Sequence, residues 1–261
     1  MVKAFENTGY WAVILGGSSG LGLASAQKLA SEGMNICIVH RDPRAEMPRI
    51  NSEFDAIRSK VNLISFNLDA AKSESVTRFI ATFTDLPDPK KVRVLLHSVA
   101  RGTLKPVTGN DQLSMDDLAM TLEAMGSSLL QWTQAIFEAG LFADDARVLA
   151  FTSEGSARPI PGYAAVSMAK AALEALIRSI ALEFGPAGVR ANCIQAGVTA
   201  TRSILSIPNS EAIIRHSSKR NPLGRNTTTA DIANIVYLMS LDEAAWINGT
   251  IIRADGGESL Q

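Results

Sequence analysis

Two groups of residues have the types and spacing to do chemistry. In the first, Gly16, Gly20 and Gly22 are spaced G-x-x-x-G-x-G, with Ser18, Ser19 and Leu21 filling the turn. Glycine suits a backbone that takes positive φ, and one that an anion must approach with no Cβ in the way. A helix starting near Leu21 would aim its unpaired N–H groups and its dipole at a phosphate. The second group is Tyr163 and Lys170. Their spacing amounts to about two helical turns, which returns both side chains to nearly one face. An ammonium beside a phenol favours the phenolate and lowers its pKa. Tyr163 would then be a proton donor to a developing oxyanion.

These groups must be positioned by regular elements. Short apolar runs at residues 11–15, 35–39, 61–66, 92–96, 147–151, 189–194 and 250–253 are rich in Val, Ile and Leu. They read as strands buried on both faces. Amphipathic stretches at 21–31, 73–84, 116–139, 164–184 and 229–241 alternate with them. The alternation predicts an α/β fold: a doubly wound parallel sheet of about seven strands, a Rossmann arrangement, with helices on both faces. No repeat, low-complexity tract or Pro/Gly linker divides the sequence, so one domain over 1–261 is expected. The segment from about 200 to 225 breaks the rhythm, with Pro208, Pro222 and a short helical pattern at 210–216. It leaves the carboxyl end of the sixth run, where ligands bind in open α/β sheets. It is expected to be a substrate-covering flap, the alternative being a surface insertion.

Bulk properties remove other classes. Hydrophobic residues make up 46% and charged residues 20%, as in ordinary globular proteins. A net charge of -1 leaves no basic excess for nucleic acid. No apolar run reaches the roughly 18 residues of a membrane span, and residues 1–9 lack the features of a signal peptide. Cys37 and Cys193 each sit inside an apolar run and read as small buried hydrophobes. With no CxxC, HExxH or histidine cluster, no metal site is expected. A cytoplasmic setting follows as the expectation.

A glycine turn after the first strand of such a sheet predicts dinucleotide binding. An acid at the tip of the second strand would bind ribose hydroxyls and repel a 2′-phosphate. His40 stands there, followed by Arg41, whose guanidinium suits a phosphate. This favours NADPH. Asp42, as a ribose acid, keeps NADH open.

Taken together, these features resemble the short-chain dehydrogenase/reductase family over essentially the whole chain. The glycine turn, the Tyr/Lys helix, Ala196-Gly197 and the C-terminal Ala254-Asp255-Gly256-Gly257 fall in the family's order. Most members place the tyrosine four residues before the lysine, where this chain has Val166. The longer spacing resembles the enoyl-[acyl-carrier-protein] reductase branch. His97-Ser98 in place of Asn-Asn, Ala196-Gly197 in place of Pro-Gly, and Met125 in place of the helix asparagine agree with it. Many enoyl reductases carry a second tyrosine at the place of Ser153; a minority has serine there.

The resemblance implies hydride delivery from NADPH to the β-carbon of a trans-2-enoyl thioester carried by acyl carrier protein or coenzyme A. Tyr163 would hydrogen-bond the enolate oxygen, and Lys170 the nicotinamide ribose. Ser98, Val99 and Ala100 would line the cofactor cleft. Gly197 would also bind the cofactor, the main chain at Thr199 would meet the carboxamide, and the hydroxyl of Thr201 the pyrophosphate. Asn67 and Leu68 would meet the adenine, or Asp69 if the register slips. Ser153 either assists the oxyanion or fills space. Arg202, Arg215, Lys219 and Arg220 would attract an acidic carrier, or form a solvated face. A homotetramer or homodimer is implied. A ketone or 3-ketoacyl reductase, and a non-catalytic NADP-binding sensor, are the competing readings.

Overall fold

A computed structural model describes residues 3–87, 90–205, 207 and 209–261. Strands and helices alternate: β1 (Tyr10–Leu15), α1 (Gly20–Ser31), β2 (Asn35–His40), α2 (Met47–Arg58), β3 (Leu63–Asn67), α3 (Ser73–Thr84) and β4 (Lys91–His97). Then come α4 (Met115–Leu122), a π-helical turn (Glu123–Ser127), α5 (Ser128–Glu138), β5 (Phe142–Thr152), α6 (Ala164–Glu183) and β6 (Val189–Ala196). After them follow α7 (Arg202–Leu205), α8 (Ser210–Arg220), α9 (Thr229–Ser240) and β7 (Ile251–Ala254). The strands form one sheet in the order β3-β2-β1-β4-β5-β6-β7. Every pairing is parallel. This is the doubly wound Rossmann arrangement expected from the alternation.

The pleat divides the apolar residues between two cores. Along β1, Trp11, Val13 and Leu15 face a core shared with Phe79 of α3, Trp132 of α5 and Leu173 of α6. Ala12 and Ile14 face the other, with Leu29 of α1, Phe54 of α2 and Val236 of α9. Cys37 and Cys193 are free and buried, as expected of small hydrophobes.

Two elements differ from the expectation. α2 (Met47–Arg58) lies outside the amphipathic stretches expected from the sequence. Pro48 lies in the first turn, where a missing N–H costs no helical bond. Ile50, Phe54 and Ile57 then bury one face. The single helix expected over 116–139 is instead interrupted at Glu123–Ser127. Gly126 there lies against the Ala169 carbonyl, where an added Cβ would come within 3.2 Å. In the segment expected to be a flap, α8 runs beyond the helical pattern to Arg220, and Pro208 lies outside the described residues.

A parallel sheet sends every strand's carboxyl end to one side. The turns after β1, β2, β4, β5 and β6 therefore meet above Leu15, His40, His97, Thr152 and Ala196. The opposite end is tied by arginines on three adjacent strands. Buried Arg93 and Arg147 donate to the Ser240, Met239 and Leu241 carbonyls at the end of α9. Asp145 accepts from Arg93, Arg147 and Arg190.

Candidate active site

The glycine turn packs against the end of β4. Gly16 adopts φ +88°, and a Cβ there would collide with the Ser98 carbonyl. A Cβ on Gly22 would collide with the Gly16 carbonyl. The Gly16 amide donates to Val39 O at 2.7 Å, and the Ser98 amide to Leu15 O at 2.8 Å, locking the turn between β2 and β4. Gly20 opens α1 at φ +55°. Ser19 stands at the N-cap, yet its side chain caps nothing, and the first turn holds no acid. The unpaired N–H groups at that helix start are donors for an anion, so the turn fits the pyrophosphate of a dinucleotide. Ser18 is buried beneath it, and Leu21 packs toward the α1–α2 core.

At the β2 tip the structure corrects the sequence reading. The His40 side chain is only 3% exposed as a residue. Its Nδ1 lies 2.9 Å from Asp42 Oδ2, and its ring meets Phe54 edge-on. It is a packed support for the loop, with no side-chain face to offer a ligand. Arg41 stays 57% exposed, but its guanidinium pairs with Asp69 at 2.7 Å, as does that of Arg101. The Asn67 side chain is likewise engaged: it accepts from the Asp42 amide and donates to the Asp42 carbonyl. The Leu68 amide donates to His40 O at 2.7 Å.

Tyr163 stands at the N-cap of α6, and Lys170 lies two turns along the helix. The Tyr163 ring covers Gly155, where an added Cβ would come within 2.7 Å of Cε1 and 3.4 Å of Ser153 Oγ. Ser153, at the end of β5, is therefore beside the phenol. Its Oγ is buried against the phenol. Lys170 is buried and donates from Nζ to the Phe151 carbonyl at 2.7 Å. Burial pushes its pKa down to about 8, with the charges of Cys193 and Glu174 opposing. The expected depression of the Tyr163 pKa is not seen. Burial raises it, and only the Ser153 hydroxyl opposes. The phenol therefore holds its proton, as a donor must. His97 is buried, with Nε2 2.9 Å from Ser128 Oγ. Burial and the Lys170 charge push its pKa down to about 3, so it is neutral.

The fourth wall follows β6. A Cβ on Gly197 would collide with Thr227 Oγ1, and the Val198 amide donates to buried Glu258 at 3.0 Å. Thr199 Oγ1 donates to the Gly197 carbonyl at 3.0 Å, and the Thr201 amide to Thr199 O at 2.7 Å. Thr201 rests over Gly20, where a Cβ would stand 3.4 Å from its Cγ2. Ser98, Val99 and Ala100 occupy the turn after β4, between the glycine turn and α6. The sheet thus brings residues 16–22, 98–100, 153, 163, 170 and 197–201 to its carboxyl edge.

Of the four basic residues near the flap, three pair with acids of the same chain. Arg220 pairs with Glu154 at 2.6 Å and donates to the Glu258 carbonyl at 3.1 Å. Arg202 grips Glu46. Arg215 makes a looser exposed pair with Glu211 at 3.6 Å. Sequence reasoning missed Glu46, Arg49, Glu154 and Glu258. Their partners Arg202, Ser18, Arg220 and Val198 lie 31 to 156 residues away, and no local spacing announces those contacts.

A family model described as Enoyl-(Acyl carrier protein) reductase matches residues 16–259. The chain is 26% identical over 251 residues to an uncharacterised oxidoreductase of Bacillus subtilis, covering 94% of this chain and 95% of that protein. It is 26% identical over 238 residues to an NADH-type enoyl-[acyl-carrier-protein] reductase of Nostoc, covering 90% of each. The crystal structure of an enoyl-[acyl-carrier-protein] reductase (NADH) from Aquifex aeolicus superposes with a TM-score of 0.86. It covers 99% of this chain and 98% of that one at 20% identity, which speaks to the fold alone. With nearly the whole sheet and its carboxyl-edge turns inside the matched span, the chain belongs to the enoyl-(acyl carrier protein) reductase family of short-chain oxidoreductases.

Proposed function

We propose that the protein reduces the carbon–carbon double bond of a trans-2-enoyl thioester, carried on acyl carrier protein or coenzyme A, with NADPH. The observation that carries this reading is the place of the phenol. Tyr163 precedes α6, and the position one turn nearer Lys170 is buried, apolar Val166. When bound, the nicotinamide dinucleotide supplies the hydride. For an enoyl thioester, charge then collects on the thioester oxygen, displaced from the carbon that is reduced. A donor moved one turn toward the helix start suits that displacement.

The roles follow from the side chains. The α1 N-terminus, with Gly16, Ser18, Ser19, Gly20, Leu21 and Gly22, holds the pyrophosphate, and Thr201 adds its hydroxyl. Lys170 hydrogen-bonds the nicotinamide ribose. Ser98, Val99, Ala100, Gly197 and Thr199 form the cleft around the ring. Tyr163, kept protonated by burial, donates a hydrogen bond to the oxyanion as it forms. The 200–225 segment covers the substrate. Exposed Arg41 supports the choice of NADPH, with NADH the alternative. Exposed Met168 and Leu182 on α6 and Phe137 on α5 support a pairing of copies into a homodimer or homotetramer. No helix among the described residues is long and apolar enough to cross a membrane. The proposal carries with it a cytoplasmic role in fatty acid synthesis.

One observation favours a second reading. The buried Ser153 hydroxyl against Tyr163 suits a carbonyl substrate, as in typical short-chain ketone reductases. The test is loss of NADPH absorbance with a trans-2-enoyl thioester and with a 3-ketoacyl thioester, for wild type and Tyr163→Phe. Oxidation with the enoyl substrate alone, lost in the variant, is expected. Oxidation with the ketone alone would replace the enoyl assignment by the second reading.

A further inference from the structure

Glu46, Arg49 and Arg202 form an ion triad with no role in the mechanism above. Glu46 closes the loop after β2, Arg49 lies near the start of α2, and Arg202 opens α7, 156 residues from Glu46. Arg202 holds the Glu46 carboxylate with Nη1 at 2.7 Å and Nη2 at 3.1 Å. Arg49 Nε adds a third bond at 3.2 Å. Two guanidinium groups thus converge on one carboxylate, and the Asp42 charge also acts on Arg202. The triad stands beside the glycine turn. Arg49 Nη2 lies 3.4 Å from the Ser18 carbonyl, and Thr201, the neighbour of Arg202, rests over Gly20. All three side chains keep a solvent face: 29% for Glu46, 38% for Arg49 and 58% for Arg202.

A guanidinium fork fits carboxylate and phosphate oxygens alike, and a phosphate carries the greater charge. Two cations at the mouth of a phosphate turn are more than one carboxylate needs. We propose that Arg49 and Arg202 form a phosphate seat, with Glu46 as a resident anion that a phosphate group of the bound dinucleotide displaces. The inference rests on the dinucleotide reading of the glycine turn and is independent of the enoyl substrate. Because Arg202 opens α7, its transfer from Glu46 to the nucleotide ties the start of the 200–225 segment to cofactor binding. The phosphate has two sources in the same molecule: the 2′-phosphate, carried by NADPH alone, and the pyrophosphate, shared with NADH.

The test is isothermal titration of the intact chain with NADPH and with NADH, no substrate present, for wild type, Glu46→Gln, Arg202→Gln and the double variant. Glu46→Gln is expected to tighten binding about tenfold, and Arg202→Gln to weaken it about tenfold. The gain from Glu46→Gln shrinks in the double variant, because the freed seat has lost half its charge. A change confined to NADPH assigns the seat to the 2′-phosphate. Equal changes with both nucleotides assign it to the pyrophosphate. Either supports the seat. Unchanged affinity for both nucleotides in both single variants overturns it. So does weaker binding of both in Glu46→Gln, the mark of a carboxylate that only braces its loop. Wild-type protein that binds neither nucleotide would instead remove the dinucleotide reading itself.

Discussion

The Tyr163 ring lies on the α-carbon of Gly155, with room for hydrogen alone: a Cβ at 155 would come within 2.7 Å of Cε1 and 2.9 Å of Cδ1. Gly155 follows Ser153 in the short 3-10 turn after β5, so one turn sets the height of both the serine and the phenol. Gly155→Ala should displace the phenol without touching the glycine turn. A misplacement of about 1 Å at a reacting group costs up to about 100-fold in turnover. The expected result is a kcat lowered by about that factor with unchanged NADPH affinity. Steady-state kinetics beside a binding titration checks it, and equal losses in both would point to a collapsed site.

Lys170 makes stability depend on pH on the alkaline side. Burial holds its pKa near 8 in the folded chain, against the ordinary 10.5 of an exposed lysine. Below pH 8 both states carry the proton, and the folded state bears the full cost of a buried charge. Between about pH 8 and 10.5 the folded protein has lost that proton while the unfolded chain keeps it, so stability rises with pH. The rise attributable to this group is on the order of 3 kcal/mol. Lys170→Met should be more stable than wild type at pH 7, with the gap closing by about pH 10. Urea denaturation of the nucleotide-free protein across this range measures it. A gap that does not vary with pH would remove the buried ammonium as its cause.

At the far end of the sheet, Asp145 neutralises Arg93, Arg147 and Arg190. Its partial burial raises its pKa, but the three guanidinium groups outweigh that and hold the carboxyl below the usual range. Asp145→Asn would leave buried Arg147 without its carboxylate and Arg93 with Asp242 alone, a loss of about 3 kcal/mol. In wild type, the stability from this group is present above the ordinary aspartate pKa and disappears as pH falls through the lower folded value. Urea midpoints of both proteins from pH 7 downward should converge in acid.

Glu258 reaches back from the C-terminal turn to accept the Val198 amide at 3.0 Å. It holds the Gly197–Thr199 backbone from behind while touching no expected ligand. Glu258→Ala should leave that amide unpaired and cost about 1–3 kcal/mol at the turn. The expected readout is NADPH binding weakened about tenfold, with turnover at saturating cofactor largely kept. A loss of turnover at saturation with intact affinity would place the residue's effect elsewhere.

The sequence by itself determined the layers. Runs of Val, Ile and Leu too short for helices, separated by amphipathic stretches, leave a two-faced parallel sheet as the one arrangement that buries both. Such a sheet carries every strand end, and so Gly16–Gly22, Ser98, Ser153 and Gly197, to one edge. The Tyr163–Lys170 spacing was legible for the same reason: helical periodicity is local. What only the tertiary structure decided depends on contacts across the chain. His40 looked like a ligand group but its side chain is buried against Asp42 and Phe54, while Asn67 ties the bent loop after β2 through the Asp42 backbone. Arg41 is drawn to Asp69 on the neighbouring strand's turn. The Tyr163 pKa rises where the spacing suggested a fall, because depth of burial, which no spacing encodes, outweighs the Ser153 hydroxyl beside it. Glu46 and Arg202 meet over the glycine turn only because the 200–225 segment crosses back over the three strands that separate β6 from β2.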